Sequence, residues 1–147
     1  MWVSVVVQAL SIIGAGEYGE VYLAFQTVEG RTPEHKEISV TVPRAVKMMK
    51  SAATQQVKDE YCREAITMLK IGDHDNIVRL IGVAVQQAPW LMVLEFVQFG
   101  DLRAVLQACK ENSIELSVGE MLSFMRQLAV RSPVICAAFH SCNNGGL

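Results

Sequence analysis

The sequence predicts an α+β fold in which five strands and one helix come first, followed by two further helices and an irregular tail. Three observations carry this reading. β-branched and alternating apolar residues dominate as far as Met49. Between Ser51 and Ile71 the apolar spacing changes to three and four residues. After Gly100 helical spacing returns, with two short apolar runs between the helical stretches.

Val3 to Ile13 is rich in valine and isoleucine, and Glu20 to Thr27 alternates around Val21, Leu23 and Phe25; both read as strands. The segment between them, Gly14-Ala15-Gly16-Glu17-Tyr18-Gly19, is short enough for a hairpin loop. Glu29 to Glu37 carries Gly30 and Pro33 among charges and reads as a solvated turn before a third strand, Ile38 to Met49. In Ser51 to Ile71, Val57, Tyr61, Ala65, Met68 and Leu69 mark one helix face, and Gly72 closes the helix. Ile77 to Val85 and Trp90 to Val97 are strands joined by a turn at Gln86 to Pro89. Leu102, Val105 and Leu106 suit a short helix, and Met121, Leu122, Met125, Leu128 and Ala129 a longer one. Arg131 to Leu147, with Pro133 and a Ser-Cys-Asn-Asn-Gly-Gly run, keeps no period and reads as an irregular tail.

The chain has 147 residues, enough for one core or for a lobe of something larger. With 51% hydrophobic and 19% charged residues it is not a disordered chain. A net charge of -2 gives no general field for nucleic acid or an anionic membrane, so any phosphate must be held locally. Cys62, Cys109, Cys136 and Cys142 form no Cys-x-x-Cys pair and read as reduced thiols of a cytosolic setting. The apolar Met1 to Ile13 stretch lacks the positive start of a secretory signal and reads as a strand. No run approaches the roughly 20 apolar residues of a membrane span.

Gly14, Gly16 and Gly19 are spaced so that backbone can approach a phosphate chain without Cβ atoms in the way. Three glycines also serve a plain bulged hairpin. The same spacing fits a dinucleotide fingerprint, but that version requires a helix directly after Gly19, where Glu20 to Phe25 reads as a strand. On the third strand, Ala45-Val46-Lys47 places a lysine among apolar residues, a pattern equally suited to a solvated strand edge. On the helix that follows, Glu64 occupies a position of the apolar face, where a carboxylate is costly unless paired. Lys47 is its natural partner; Lys58 and Lys70 are the alternatives on the helix itself. Cys136, His140 and Cys142 make a poor metal site, with three ligands on an irregular tail and no fourth in view.

In this order the elements resemble the N-terminal lobe of a protein kinase of tyrosine-kinase, receptor-like type, over about Leu10 to Ala129. The matching stretches are Ile13 to Tyr22, Ala45 to Lys50, Arg63-Glu64-Ala65, His74 to Val83, Leu91 to Val97, Phe99 to Arg103 and Glu120 to Ala129. The resemblance implies a five-stranded antiparallel sheet with one helix. It implies a lobe over 1–100, the start of a helical lobe over 101–130 and a non-matching tail over 131–147. It also implies that ATP is the cofactor, with Gly14, Gly16, Gly19 and Lys47 at its phosphates and Glu64 orienting the lysine. Val21 and Ala45 would close over the base, Leu94 would be the gatekeeper, the backbone of Glu95 and Val97 would bind adenine, and Asp101 would reach the ribose. Protein substrates or a partner kinase are the implied partners, and the cytoplasm, or the cytoplasmic portion of a receptor, the implied location.

Two departures qualify this, and a consequence for stability follows. The sequence has no His-Arg-Asp or Asp-Phe-Gly stretch and no aspartate after Asp101, so catalytic residues and the ligands for magnesium are missing from these residues. The expected reading is a segment truncated before the catalytic loop and inactive by itself, or alternatively a non-catalytic interaction module. Arg44 stands where the family usually has a small apolar residue, beside Pro43, and is expected to face outward. Met121, Leu122 and Phe124 are expected to be exposed, favouring marginal stability or self-association.

Overall fold

The computed structural model describes residues 8–16, 19–31 and 37–144. Five strands, β1 (Gln8–Ala15), β2 (Gly19–Arg31), β3 (Glu37–Met49), β4 (Leu80–Ala84) and β5 (Leu91–Glu95), form one antiparallel sheet in the order β1-β2-β3-β5-β4. The helices are α1 (Gln55–Ile71), α2 (Leu102–Glu111) and α3 (Val118–Asn144). Two compact units result. One contains the described residues through Tyr61 together with Leu80–Phe96; the other contains Cys62–Arg79 and the described residues from Val97 onward.

In the first unit, strand alternation divides the sheet into two faces. Ala24, Val46 and Val93 are buried together on one face, with Ile81 and Leu91 packed against them. Arg44 also lies on this face, half-buried rather than outward, and its Nε donates to Gln26 Oε1 at 2.8 Å. That bond resolves the unexpected arginine, because Gln26 is only 3% exposed and a buried amide without partners is costly. Pro43 falls just beyond the stretch of β3 flanked by β5, which begins at Arg44, so a missing amide donor is tolerated there.

The turn expected at Glu29 to Glu37 is shorter than the sequence suggests. β2 and β3 stay in register through Gly30↔Ile38 and Arg31↔Glu37, and among the described residues this end of the pair is a two-stranded ribbon. Backbone pairing continues through the charges and Gly30, so they do not break it. β1 carries irregularities between Ala9 and Ser11 and between Ile12 and Gly14, each inserting one residue opposite β2. The expected strand from Ile77 begins only at Leu80, because Ile77 instead turns back to His74, donating its amide to the His74 carbonyl at 3.1 Å.

α1 starts at Gln55 rather than Ser51, since Lys50 to Ala53 form a turn and Thr54 Oγ1 accepts from the Val57 amide. Its hidden side is centred on Tyr61 and Ala65, while Leu69 is exposed. Thr67 is buried instead, its hydroxyl satisfied by the Arg63 carbonyl at 2.8 Å. Gly72 ends the helix at φ +66, donating to the Met68 carbonyl, as its position predicts.

The second unit is built on helix ends that the sequence spells out. Asp101 caps α2 by accepting from the Ala104 amide at 2.7 Å. At the other end Ser113 adopts φ +55, with the Ser113 amide on the Lys110 carbonyl and the Ile114 amide on the Cys109 carbonyl. This is a Schellman turn with serine at the position glycine fills best. Ser113→Gly is therefore expected to stabilise this unit by about 1 kcal/mol, read by urea denaturation followed by circular dichroism. Unchanged or lower stability would contradict the assignment.

Ser117 and Glu120 form a capping box at the start of α3. Ser117 N–H and Oγ–H both donate to Glu120 Oε2 at 2.7 Å, and the Glu120 amide donates back to Ser117 Oγ at 3.2 Å. These donors hold the Glu120 carboxyl below its ordinary value of 4.5. A depressed carboxyl contributes stability that is present above the ordinary value and is lost as the pH falls through the folded one. Amide exchange at Gly119 to Met121 is expected to accelerate as the pH drops below 4.5, beyond the intrinsic trend, and Glu120→Gln, which cannot titrate, is expected to abolish that acid step. An acid step that persists in Glu120→Gln would contradict it.

The tail read as irregular is a correction: α3 runs on through Pro133 to Asn144. Pro133 removes one backbone donor, but the sequence around it is rich in helix-compatible residues such as Ala137 and Ala138, and no glycine intervenes before Gly145. Of the three residues expected to be exposed, Met121 and Leu122 are, whereas Phe124 is half-buried. No helix among the described residues is long and apolar enough to cross a membrane.

Candidate functional site

The face of the sheet opposite Ala24, Val46 and Val93 carries several of the sequence-predicted site residues. Register places Val21 directly beside Lys47, Lys47 beside Met92, and Ala45 beside Leu94. Because successive residues alternate sides, Val21, Ala45, Lys47 and Leu94 share that face. All four are half-buried, so the fold neither hides them as core nor leaves them free in solvent.

Tyr61 covers this face from α1 and is 0% exposed. Its hydroxyl donates to the Lys47 carbonyl at 2.8 Å, and the Lys47 ammonium lies 5.7 Å from its ring centre. One side chain thus touches both ends of Lys47. The sequence places Tyr61 only on an apolar helix face; a phenol at a fully buried position is the signal that a polar partner must exist. Glu64 follows Tyr61 by one helical turn and is half-buried, in the second unit. Of the alternative lysines on α1, Lys58 is engaged with Trp90, its ammonium 5.8 Å from the ring centre.

The three glycines have different reasons to be glycine. A Cβ on Gly19 would lie 1.9 Å from the Met48 carbonyl oxygen, and its φ is +153, so the close approach of β2 to β3 requires it. A Cβ on Gly16 would meet nothing within 4 Å among the described residues, and one on Gly14 only an ordinary contact with Val21. Nothing among the described residues demands glycine at either position. Gly16 and Gly19 donate their amides to each other's carbonyls, at 2.8 and 3.3 Å, closing the hairpin. Those two amides are engaged within the turn, and the two residues between them, Glu17 and Tyr18, lie outside the described residues.

Glu95 stands in register with Arg44, so its side chain lies on the opposite face from Lys47 and leaves only its backbone for the site. Also on that opposite face, the Tyr22 hydroxyl is held above its ordinary 10.0 by its hydrogen bond to the Glu20 carboxylate. In the second unit Val97 and Asp101 line a cleft of about 720 Å³, together with Val78, Val105, Phe124 and Leu128. Asp101 commits Oδ1 to the helix cap there. A separate hollow of about 360 Å³ between Glu29, Gly30, Glu37, Ile38 and Ser39 contains none of the sequence-predicted site residues. No cluster of three His, Cys, Asp or Glu side chains suited to a metal occurs among the described residues, and the Cys136, His140 and Cys142 side chains lie outside them.

The family model for protein tyrosine and serine/threonine kinases matches residues 7–131, within a few residues of the stretch marked out by the motifs. The chain is 33% identical over 120 residues to ephrin type-B receptor 1-A of Xenopus laevis, covering 80% of this chain and 11% of that protein. It is 34% identical over 118 residues to tyrosine-protein kinase Fer of Rattus norvegicus, covering 80% and 12%. Against inactive tyrosine-protein kinase 7 of Mus musculus it is 33% identical over 138 residues, covering 93% and 12%. The chain therefore spans roughly a tenth of the length of these relatives. With the sheet order, the lysine strand, the helix after it and the family match in agreement, the chain belongs to the protein tyrosine and serine/threonine kinase family.

Proposed function

We propose that this chain is the ATP-binding portion of a protein tyrosine kinase, with Lys47 as the phosphate anchor. The observation that carries this reading is the shared, half-buried face of Val21, Ala45, Leu94 and Lys47. Apolar residues there suit a flat base, and one cation among them suits an anion that the net charge of -2 would otherwise repel. Gly14 and Gly16 add support, since side chains are absent where the fold itself has room for them. In this reading Gly14, Gly16 and Gly19 leave space for the phosphate chain, and Val21, Ala45 and Leu94 enclose the base. Glu95 and Val97 present backbone to it, Asp101 turns its remaining carboxylate oxygen to the ribose, and Glu64 orients Lys47.

ATP supplies the γ-phosphoryl group; the residues of this chain bind and orient. Lys47 neutralises phosphate charge in a partly dehydrated setting, where a charge-assisted hydrogen bond is strongest. Transfer to a protein tyrosine belongs to a longer kinase carrying this segment, because no His-Arg-Asp or Asp-Phe-Gly stretch occurs within the 147 residues. The described residues do not fit a magnesium site, so no step is assigned to the metal. The segment by itself is expected to be inactive, and the longer protein to act on the cytoplasmic side.

Labelling with a photoreactive ATP analogue tests the anchor. Lys47→Met is expected to reduce labelling at subsaturating analogue by roughly ten-fold or more, from the loss of about 1.5–3 kcal/mol. Equal labelling of wild type and variant would sink the assignment. A second reading, a non-catalytic kinase-like interaction module, is favoured by the likeness to the mouse protein named as inactive, which extends over 93% of this chain. Wild-type protein that takes no label at all would support that reading instead.

A further inference from the structure

We propose that Tyr61 is a positioning residue that fixes Lys47 for phosphate binding, a role that rests on the phosphate-anchor reading of Lys47. A lysine has a flexible four-carbon stem, and freezing it on ligand binding costs side-chain entropy. Tyr61 reduces that cost in advance by two separate contacts. Its hydroxyl donates to the Lys47 carbonyl at 2.8 Å, fixing where the stem starts, and its ring lies 5.7 Å from the ammonium, favouring where the stem ends.

The setting makes Tyr61 itself rigid. It is 0% exposed, it projects from a 17-residue helix, and Met92, the β5 neighbour of Lys47, is equally buried. A ring that cannot move is a fixed electrostatic surface for the cation. Because Tyr61 sits on α1 and Lys47 on β3, the contact also ties the rotation of the helix to the direction of the lysine. Phenylalanine at this position would keep the ring and lose the hydroxyl; leucine would lose both. The two functions are therefore separable.

Lysine selectively labelled with 13C at the ε-carbon reports the contact directly in the full 147-residue chain. The Lys47 ε-methylene protons, assigned by their loss in Lys47→Arg, are expected upfield of the other lysines through the ring current. That shift should persist in Tyr61→Phe and vanish in Tyr61→Leu; its absence from wild type would overturn the proposal without any variant. Function is read by the ATP concentration that half-protects Lys47 from an amine-acylating reagent, mapped by mass spectrometry. Tyr61→Leu is expected to raise that concentration roughly two- to five-fold, and Tyr61→Phe to leave it within two-fold. Undiminished protection in a folded Tyr61→Leu overturns the positioning role alone. Failure of ATP to protect wild-type Lys47 overturns the anchor reading and the positioning role with it, while the ring-current shift still reports the contact.

Discussion

Gly19→Ala is expected to destabilise the sheet by about 3–5 kcal/mol, combining a strained φ with a backbone clash. The added methyl would sit 1.9 Å from the Met48 carbonyl oxygen, and neither atom belongs to a flexible side chain that can step aside. β2 would have to move away from β3 at the point where Gly19 pairs with Met49, loosening the hairpin and the strand that carries Lys47. Against a typical total of roughly 5–15 kcal/mol, that is a large fraction of the stability of the unit. Gly16→Ala is the control, since its methyl meets nothing within 4 Å among the described residues and should change stability by less than about 0.5 kcal/mol. Thermal denaturation of the two variants side by side checks this; similar losses in both, or none in Gly19→Ala, would contradict it.

Tyr61→Ala is expected to cost about 3–5 kcal/mol from the cavity and lost contacts of a buried aromatic. The hydrogen bond to the Lys47 carbonyl adds about 1 kcal/mol. Because Tyr61 is fully buried and bonds directly to β3, its removal unpins α1 from the strand as well as leaving a hole. Tyr61→Phe should lose only the hydrogen-bond share. A denaturant midpoint that falls far for alanine and modestly for phenylalanine is the expected pattern; equal losses would mean that the hydroxyl, not the ring, dominates.

Much of this arrangement is legible in the sequence. The strand after Gly19 separates the glycine loop from a dinucleotide fingerprint, whereas the face that Val21 and Ala45 share with Lys47 follows from the cross-strand register. The ribbon beyond Thr27 was not legible, because Gly30 and the flanking charges mimic a turn while cross-strand pairing continues through them. Nor was the length of α3, since Pro133 and the polar run from Ser141 argue against a helix that nevertheless extends to Asn144. On α1, counting apolar residues brought in Leu69, which is exposed, and passed over Thr67, which hides its hydroxyl on the Arg63 carbonyl. The contact between Tyr61 and Lys47 depends on how a helix is rotated over a sheet, a tertiary quantity that spacing along one chain does not encode. Similarly, spacing groups the three glycines as equals, whereas only Gly19 is demanded by a neighbouring strand.

The functional reading rests on a charge-specific site, not merely an apolar one. Adenosine and ATP present the same base and ribose and differ only in the phosphates that Lys47 is proposed to hold. Calorimetric titration of both into the wild-type chain therefore measures the anchor directly. ATP is expected to bind at least roughly ten-fold more tightly than adenosine, the equivalent of one charge-assisted hydrogen bond of about 1.5–3 kcal/mol. Equal affinity for the two, with binding detected, would contradict a phosphate anchor at Lys47.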